Sequence, residues 1–470
     1  MTDKINNNKF RIAIVSGKLG DVDGVSLEVD KWIEILKSAG HEIFTIAGLY
    51  KQPVSGVPEK NQILLKNISF DSAEQRYFET LVFPYLSKRP PHFSEARLYE
   101  IQTELETEGA NAGTRLYEII QKYRIDVIIA ENTNAMPMSL LGGLAVYHVV
   151  NRYRVATIFH HHDFWWERSR FSENYIEKLL NRIMPPSDLG TEHVVISSYA
   201  SHILRSIKRV NPKVITNCEN FDTPVVPDEW NSDFRKELGF SADDLLVVQP
   251  TRIVPRKRIE DSLRLCGSFI KKYPDLASKL KFIVSLYQGD ELDESYVDEI
   301  KALASSLNVP FYLISDRVAS VRGYDKNGRK LYTTRDVLVN ADIATYLPVW
   351  EGFGNAFLEA VACRVPVITT TYLVYKTDIK GAGFKVPEIR DRYDRDGKLI
   401  IPGSVLEEMH RILTDREYRR EIAEFNFKIG KKEFGFDSLR KDLGELFEDY
   451  SDEIRASRRR LEKSLVSYAV

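Results

Sequence analysis

The run LPVWEGFGNAFLEAVACRVPVITTT, from Leu347 to Thr371, constrains this chain more than any other stretch. It sets two carboxylates, Glu351 and Glu359, with seven residues between them, a short segment that opens with Gly352 and Gly354. Glycines there let the backbone bend sharply and come close to a ligand. The spacing of Ala356, Phe357, Ala360 and Val361 predicts a helix from about Asn355, and the apolar run Val365 to Thr369 reads as a strand. The free N–H groups and positive end of that helix face whatever lies above the glycines, a setting that favours phosphate. Asn355 and Glu359 share one helical face. A carboxylate near the helix start accepts two hydrogen bonds from the vicinal diol of a ribose or hexose.

With 470 residues, the chain exceeds one ordinary core, so two or three domains are expected. A hydrophobic share of 43% with 29% charged residues is that of a soluble globular protein. The 66 basic and 68 acidic side chains nearly cancel, which argues against a nucleic-acid partner. Cys218, Cys266 and Cys363 are scattered and signal neither a disulfide framework nor a zinc cluster. The opening MTDKINNNK has no apolar core and no long apolar span follows, so the expectation is a cytoplasmic protein with at most peripheral membrane contact.

Phe10 to Ser16 reads as a buried strand, followed by a loop with Gly17, Gly20 and Gly24, a helix over Val25–Ala39 and a strand over His41–Ala47. The glycine spacing fits neither the dinucleotide fingerprint nor a P-loop, but such a loop can bring amides to a phosphate. Asp21 and Asp23 imitate a metal-binding pair and are read as solvated loop carboxylates. Residues 51–115 read as an irregular, variable insertion, broken at Arg89-Pro90-Pro91. Ile125 to Ala130 is a strand whose carboxyl end leads to Asn132 and Asn134, candidates for an acceptor site or for helix capping. Val155 to Phe159 is another, running into a loop His160-His161-His162-Asp163. Adjacent histidines on one loop do not easily reach a single ion, so a positioned imidazole is the reading preferred over a metal site. Trp165 and Trp166 suit core packing or a sugar face.

In the second half, the strand Leu245–Gln249 precedes Arg252 and Lys257, two cations around a proline before a helix start. Such a pair repels itself unless an anion such as a diphosphate lies between. With Arg256 and Arg258 alongside, a solvated basic turn is the competing reading. Strand and helix alternate onward, and the chain from Val405 is helical, ending in an amphipathic stretch with Arg458, Arg459 and Arg460.

The Glu351–Glu359 motif, with Arg252 and Lys257, resembles that of retaining glycosyltransferases of the GT-B fold, family 4 type. The resemblance implies an α/β protein of two Rossmann-like doubly wound domains facing a central cleft. Residues 1–222 would form the acceptor domain with its insertion at about 51–115, residues 223–440 the donor-nucleotide domain, and residues 441–470 a closing helix. It implies donor contacts at Glu351, Gly352, Phe353, Gly354, Asn355 and Glu359, at Gly24 in the first loop, and near Val318, where nucleobase contacts begin. Arg252 and Lys257 would meet the diphosphate, and one imidazole, His161 ahead of His162, would stand near the anomeric centre. His161, Arg252, Lys257 and Glu351 thus form the catalytic candidates, and Asn132, Asn134, His162 and Asp163 those for the acceptor. Arg364 and Arg258 depart from the family, which has glycine at both places. The implied reaction moves a hexose, with retention, from a UDP-, GDP- or ADP-sugar to a hydroxyl of a small molecule or glycan, without metal or other cofactor. A nucleotide-sugar epimerase, a phosphorolytic enzyme and a non-catalytic sugar-nucleotide-binding subunit are the alternatives.

Overall fold

The computed structural model describes residues 9–21, 23–86, 92–187, 190–286 and 294–467. The Arg89-Pro90-Pro91 break lies outside them. The chain divides into two units, one made of Met1–Thr216 with Leu439–Val470, the other of Asn217–Ser438.

In the first unit, β1 (Arg11–Ser16), β2 (Glu42–Ala47), β3 (Gln62–Leu64), β4 (Val127–Glu131), β5 (Ala156–His161), β6 (Glu192–Val195) and β7 (Lys213–Val214) form one sheet in the order β3-β2-β1-β4-β5-β6-β7. All pairings are parallel. Strands covered by helices on both faces need near-continuous apolar runs, and every residue of β4 is buried. The order reverses between β1 and β4, which makes the carboxyl ends of those strands the place for a ligand.

Residues 51–115 are more regular than expected. They contain β3, a helix Ala73–Val82 and most of a 29-residue helix Glu95–Tyr123. The buried stripe of that long helix is Ile101, Leu105, Gly109, Ala112, Gly113, Leu116 and Ile120. Its small residues hide the helical period from a count of large apolar side chains, yet closeness requires them. A Cβ at Gly109 would stand 2.3 Å from Cβ of Leu144 on the helix Leu140–Tyr153.

The second unit repeats the plan. β8 (Leu245–Gln249), β9 (Leu280–Val284) and β10 (Phe311–Leu313) precede a small antiparallel hairpin of β11 (Gly323–Tyr324) and β12 (Lys330–Leu331). β13 (Ile343–Tyr346), β14 (Val367–Thr370) and β15 (Glu388–Ile389) complete a parallel sheet in the order β10-β9-β8-β13-β14-β15, reversing between β8 and β13. Val247, Phe282, Ile343 and Ile368 from its strands share one core with Leu263, Phe269 and Met409 from its helices. Arg364, where the resembling family has glycine, takes a left-handed φ of 57°. That conformation costs a side chain about 1–2 kcal/mol. Its Nε donates to Glu424 at 2.6 Å and its guanidinium lies 3.7 Å over the Phe427 ring, contacts that offset the cost.

The tail returns to the first unit. Ser457 Oγ accepts from the Ala156 N–H at 2.9 Å, Tyr450 Oη accepts from the Thr157 N–H at 3.0 Å, and Leu461 joins the first core. Arg458, on the amphipathic stretch, is bound to Asp126. Among the described residues no helix is long and apolar enough to cross a membrane.

Candidate active site

In the second unit the switch point lies between β8 and β13, so the loops after these strands meet although 94 residues separate Lys257 from Glu351. The Lys257 ammonium is bound to Glu351 Oε1, and Arg256 Nη1 donates to the same oxygen at 3.0 Å. Lys257 also lies 5.7 Å from the centroid of the buried Tyr346 ring. Gln249 Nε2 holds the Lys257 carbonyl at 2.9 Å, which fixes the loop to the end of β8. Arg252 is exposed and forms no ion pair among the described residues. Burial pushes the Lys257 pKa down to about 8, with Glu351 opposing and Arg256 and Arg252 adding to the fall. Burial works to raise Glu351, but Lys257 and Arg256 outweigh it and hold the carboxyl below its ordinary range. Unit charges about 4 Å apart near a protein surface interact by about 4 kcal/mol. Two cations on one carboxylate, with Arg252 near enough to act on Lys257, therefore leave an excess of positive charge that a second anion would relieve.

The helix Asn355–Ala362 begins beside this cluster. Its N-cap is Gly354 and no side chain caps it, unlike the helices capped by Asp23, Ser72, Ser94, Ser197, Thr333 and Asp415. Its first amides are the groups an anion would use. Gly354 is required by closeness, since a Cβ there would sit 2.5 Å from Tyr372 Oη. That hydroxyl donates to the Phe353 carbonyl at 2.7 Å. The Phe353 ring itself is buried, edge-on to Phe434, so only its backbone is left for a ligand. Gly352 is half-buried. Asn355 Oδ1 accepts from Asn217 Nδ2 at 2.8 Å. Glu359 faces Arg335 at 3.4 Å, whose other nitrogen binds Glu219 at 2.6 Å. Val318 is half-buried and bridges to Tyr332 after the turn Ser315–Arg317.

The first unit gathers a second cluster at the ends of β1, β4 and β5. Asp23 is not a solvated carboxylate here. It caps the helix Gly24–Ser38 by accepting from Val25 and Ser26 amides at 3.0 Å, while Lys18 bridges Asp21 at 2.8 Å and Asp23 at 3.0 Å. Gly24, the first residue of that helix, is exposed.

The four residues expected as one loop are divided, because β5 runs on through His160 and His161 and alternates their side chains to opposite faces. His161 is 1% exposed, its Nε2 3.0 Å from Nδ1 of His193. Burial, then His193 and the neighbouring cations, push its pKa well down, so the ring is neutral. The imidazole that resemblance assigns to the sugar is thus enclosed between Phe164 and His193. His162 is less enclosed than His161, although its side chain is only 9% exposed. Its Nε2 lies 2.6 Å from Glu131 Oε1, and its N–H donates to Asn132 Oδ1 at 3.1 Å. Asn132, at φ 55°, also reaches Asp163, which is bound by Arg168. Asn134 is wholly buried and donates to the Gly143 and Ile183 carbonyls at 2.9 Å, a structural role that leaves nothing for an acceptor and caps no helix. Trp165 is buried, its N–H on the Met184 carbonyl.

Among the described residues, Glu131, His160 and His162 bring three potential ligand atoms within 4.8 Å of one another. Each oxygen of Glu131 already holds one ring, so the carboxylate is satisfied, while the far nitrogen of His160, Nε2, is buried without a hydrogen-bond partner. Glu131 and Arg256 went unnamed as site candidates from sequence. The signals were a charge closing an otherwise apolar strand and a third cation next to Lys257.

The profile described as "Glycosyl transferases group 1" matches residues 231–428, within the second unit. The mannosylglucosylglycerate synthase of Thermotoga maritima is 31% identical over 445 residues, covering 92% of this chain and 98% of that protein. That of Petrotoga mobilis is 28% identical over 460 residues, covering 92% of this chain and 100% of its own. The crystal structure of Anabaena HepE in complex with UDP-glucose shares the fold, with a TM-score of 0.58 at 14% identity over 94% of this chain and 100% of that one. Similarity running through both units to a glycosyl-transferring enzyme makes this chain a glycosyltransferase, a member of the group 1 glycosyl transferases on the GT-B fold.

Proposed function

We propose that the enzyme transfers a hexosyl group, with retention, from a nucleotide-diphospho-sugar to a hydroxyl of a small anionic glycoside of the glucosylglycerate type. The observation that carries the donor half is the pairing of Arg256 and Lys257 on Glu351, with Arg252 near Lys257, beside an uncapped helix start. A diphosphate supplies the anion this cluster lacks, and HepE, of the same fold, is seen with UDP-glucose. The acceptor half rests on the two mannosylglucosylglycerate synthases, similar over nearly their full lengths, whose name describes a mannosyl group joined to glucosylglycerate.

In this reading the bond between the anomeric carbon and the diphosphate oxygen breaks as the acceptor oxygen bonds to the same face of that carbon. The acceptor proton passes to the departing phosphate. Arg252, Lys257 and the amides at Gly354 and Asn355 take the growing phosphate charge. A preorganised donor of this kind lowers the barrier by about 3–4 kcal/mol. The roles otherwise follow the resemblance: Glu351 orients the sugar, Glu359 the ribose, and His162, rather than the enclosed His161, offers the imidazole.

The test is incubation with UDP-, GDP- and ADP-linked mannose and glucose, with and without glucosylglycerate. Released nucleoside diphosphate and a new glycoside whose anomeric configuration matches the donor are expected. Absence of acceptor-dependent release with every donor would sink the proposal.

A further inference from the structure

We infer that Glu131 is a positioning residue: its carboxylate grips His162 through Nε2 and His160 through Nδ1, and so leaves His162 Nδ1 as the nitrogen offered to the sugar donor. The inference rests on the transferase reading above.

Glu131 closes β4 and stands in register opposite His160 on β5. Although 2% exposed, it carries a charge, which such burial tolerates only when both oxygens are paired. Oε2 is 3.0 Å from His160 Nδ1 and Oε1 is 2.6 Å from His162 Nε2. His160 is fixed in turn by stacking on Trp32 at 4.2 Å. The His162 backbone is held separately by Asn132, the residue after Glu131. Two successive residues at the end of β4 therefore fix both the main chain and the ring of His162. No group among the described residues bonds His162 Nδ1. A carboxylate on one imidazole nitrogen keeps a proton there, so a protonated ring has its second N–H to donate to a hydroxyl or phosphate oxygen.

The surroundings support that state. Around His162 stand the carboxylates of Glu131 on β4, Asp163 on its own loop and Glu28 on the helix Gly24–Ser38, the last paired with Lys31. The opposing groups are His160 and Arg168, the latter bound to Asp163. Burial lowers the His162 pKa, but its hydrogen bond to Glu131 and the three carboxylates outweigh this and raise it.

The decisive variant is Glu131→Gln in the full chain, which keeps the shape and loses the charge. Turnover is expected to fall about 10- to 100-fold, the worth of one charge-assisted hydrogen bond, with the donor KM little changed. The alkaline limb of the kcat profile should move to lower pH, and Glu131→Asp should recover part of the loss. Folding is checked by the thermal shift that a nucleoside diphosphate produces in the variant. Titration of the His162 ring by NMR reads the coupling without activity, so it still decides the matter if no donor is ever turned over. An unmoved alkaline limb with unchanged kcat, or an unmoved His162 titration, would overturn the inference. So would a stoichiometric divalent ion in the purified protein that is lost with Glu131→Gln, because the three side chains would then be metal ligands.

Discussion

Lys257 and Glu351 share one ion pair across the β8–β13 switch point, with Arg256 on the same carboxylate oxygen. Because Lys257 is pushed down to about 8, it carries only part of a charge near that pH until another anion arrives. On the proposed reading, a diphosphate bound beside it would raise it again. Donor binding at pH 8 should take up about half a proton. Calorimetry in buffers of different ionisation enthalpy measures this uptake. Lys257→Ala should abolish it and lower kcat by about 10²- to 10³-fold while leaving the fold intact.

The close approach of Gly354 to Tyr372 is testable by a double-mutant cycle. Gly354→Ala forces a Cβ to within 2.5 Å of Tyr372 Oη and should cost about 1–3 kcal/mol. Tyr372→Phe removes the colliding oxygen together with its bond to the Phe353 carbonyl. The two costs should therefore be less than additive in chemical denaturation, and strict additivity would contradict the packing described.

Tyr450 ties the tail to the first unit by accepting from Thr157 and donating to the Gly190 carbonyl at 2.6 Å. Tyr450→Phe leaves the buried Thr157 N–H unmet, and should cost about 1–3 kcal/mol in urea unfolding. Deleting the chain from Leu439 onward should unfold the first unit, read as loss of its cooperative transition.

The His161–His193 pair predicts acid sensitivity. Burial pushes His193 down to about 3, with Lys208 adding to it, and His161 is lowered too. A histidine whose folded pKa is depressed binds fewer protons folded than unfolded between that value and about 6.5. Stability is therefore lost as pH falls through this window, by about 2 kcal/mol at pH 5 from His193 alone, with His161 adding in the same direction. Melting temperatures from pH 7.5 to 5 should show the fall, and His193→Gln should flatten it.

Much was legible in the chain alone because it depends on local pattern. Apolar strands alternating with helices, glycines before a helix start, and paired carboxylates at fixed spacing specify two doubly wound sheets and the Glu351 loop. Those features are set by backbone sterics and by periods of two and three to four residues, which a sequence displays. The long helix Glu95–Tyr123 escaped because glycine and alanine in its buried stripe look neutral until a second helix is laid against them.

Which side chains meet was decided by the tertiary structure. That Arg256 joins Lys257 on Glu351 follows from β8 and β13 being neighbours. That His161 is enclosed while His162 meets Glu131 follows from where β5 stops, two residues beyond the apolar run, since each added strand residue sends the next side chain to the other face. Sequence names the charges and rings available, but burial and strand order, which depend on residues far apart in the chain, determine which of them share a charge and which are shut away.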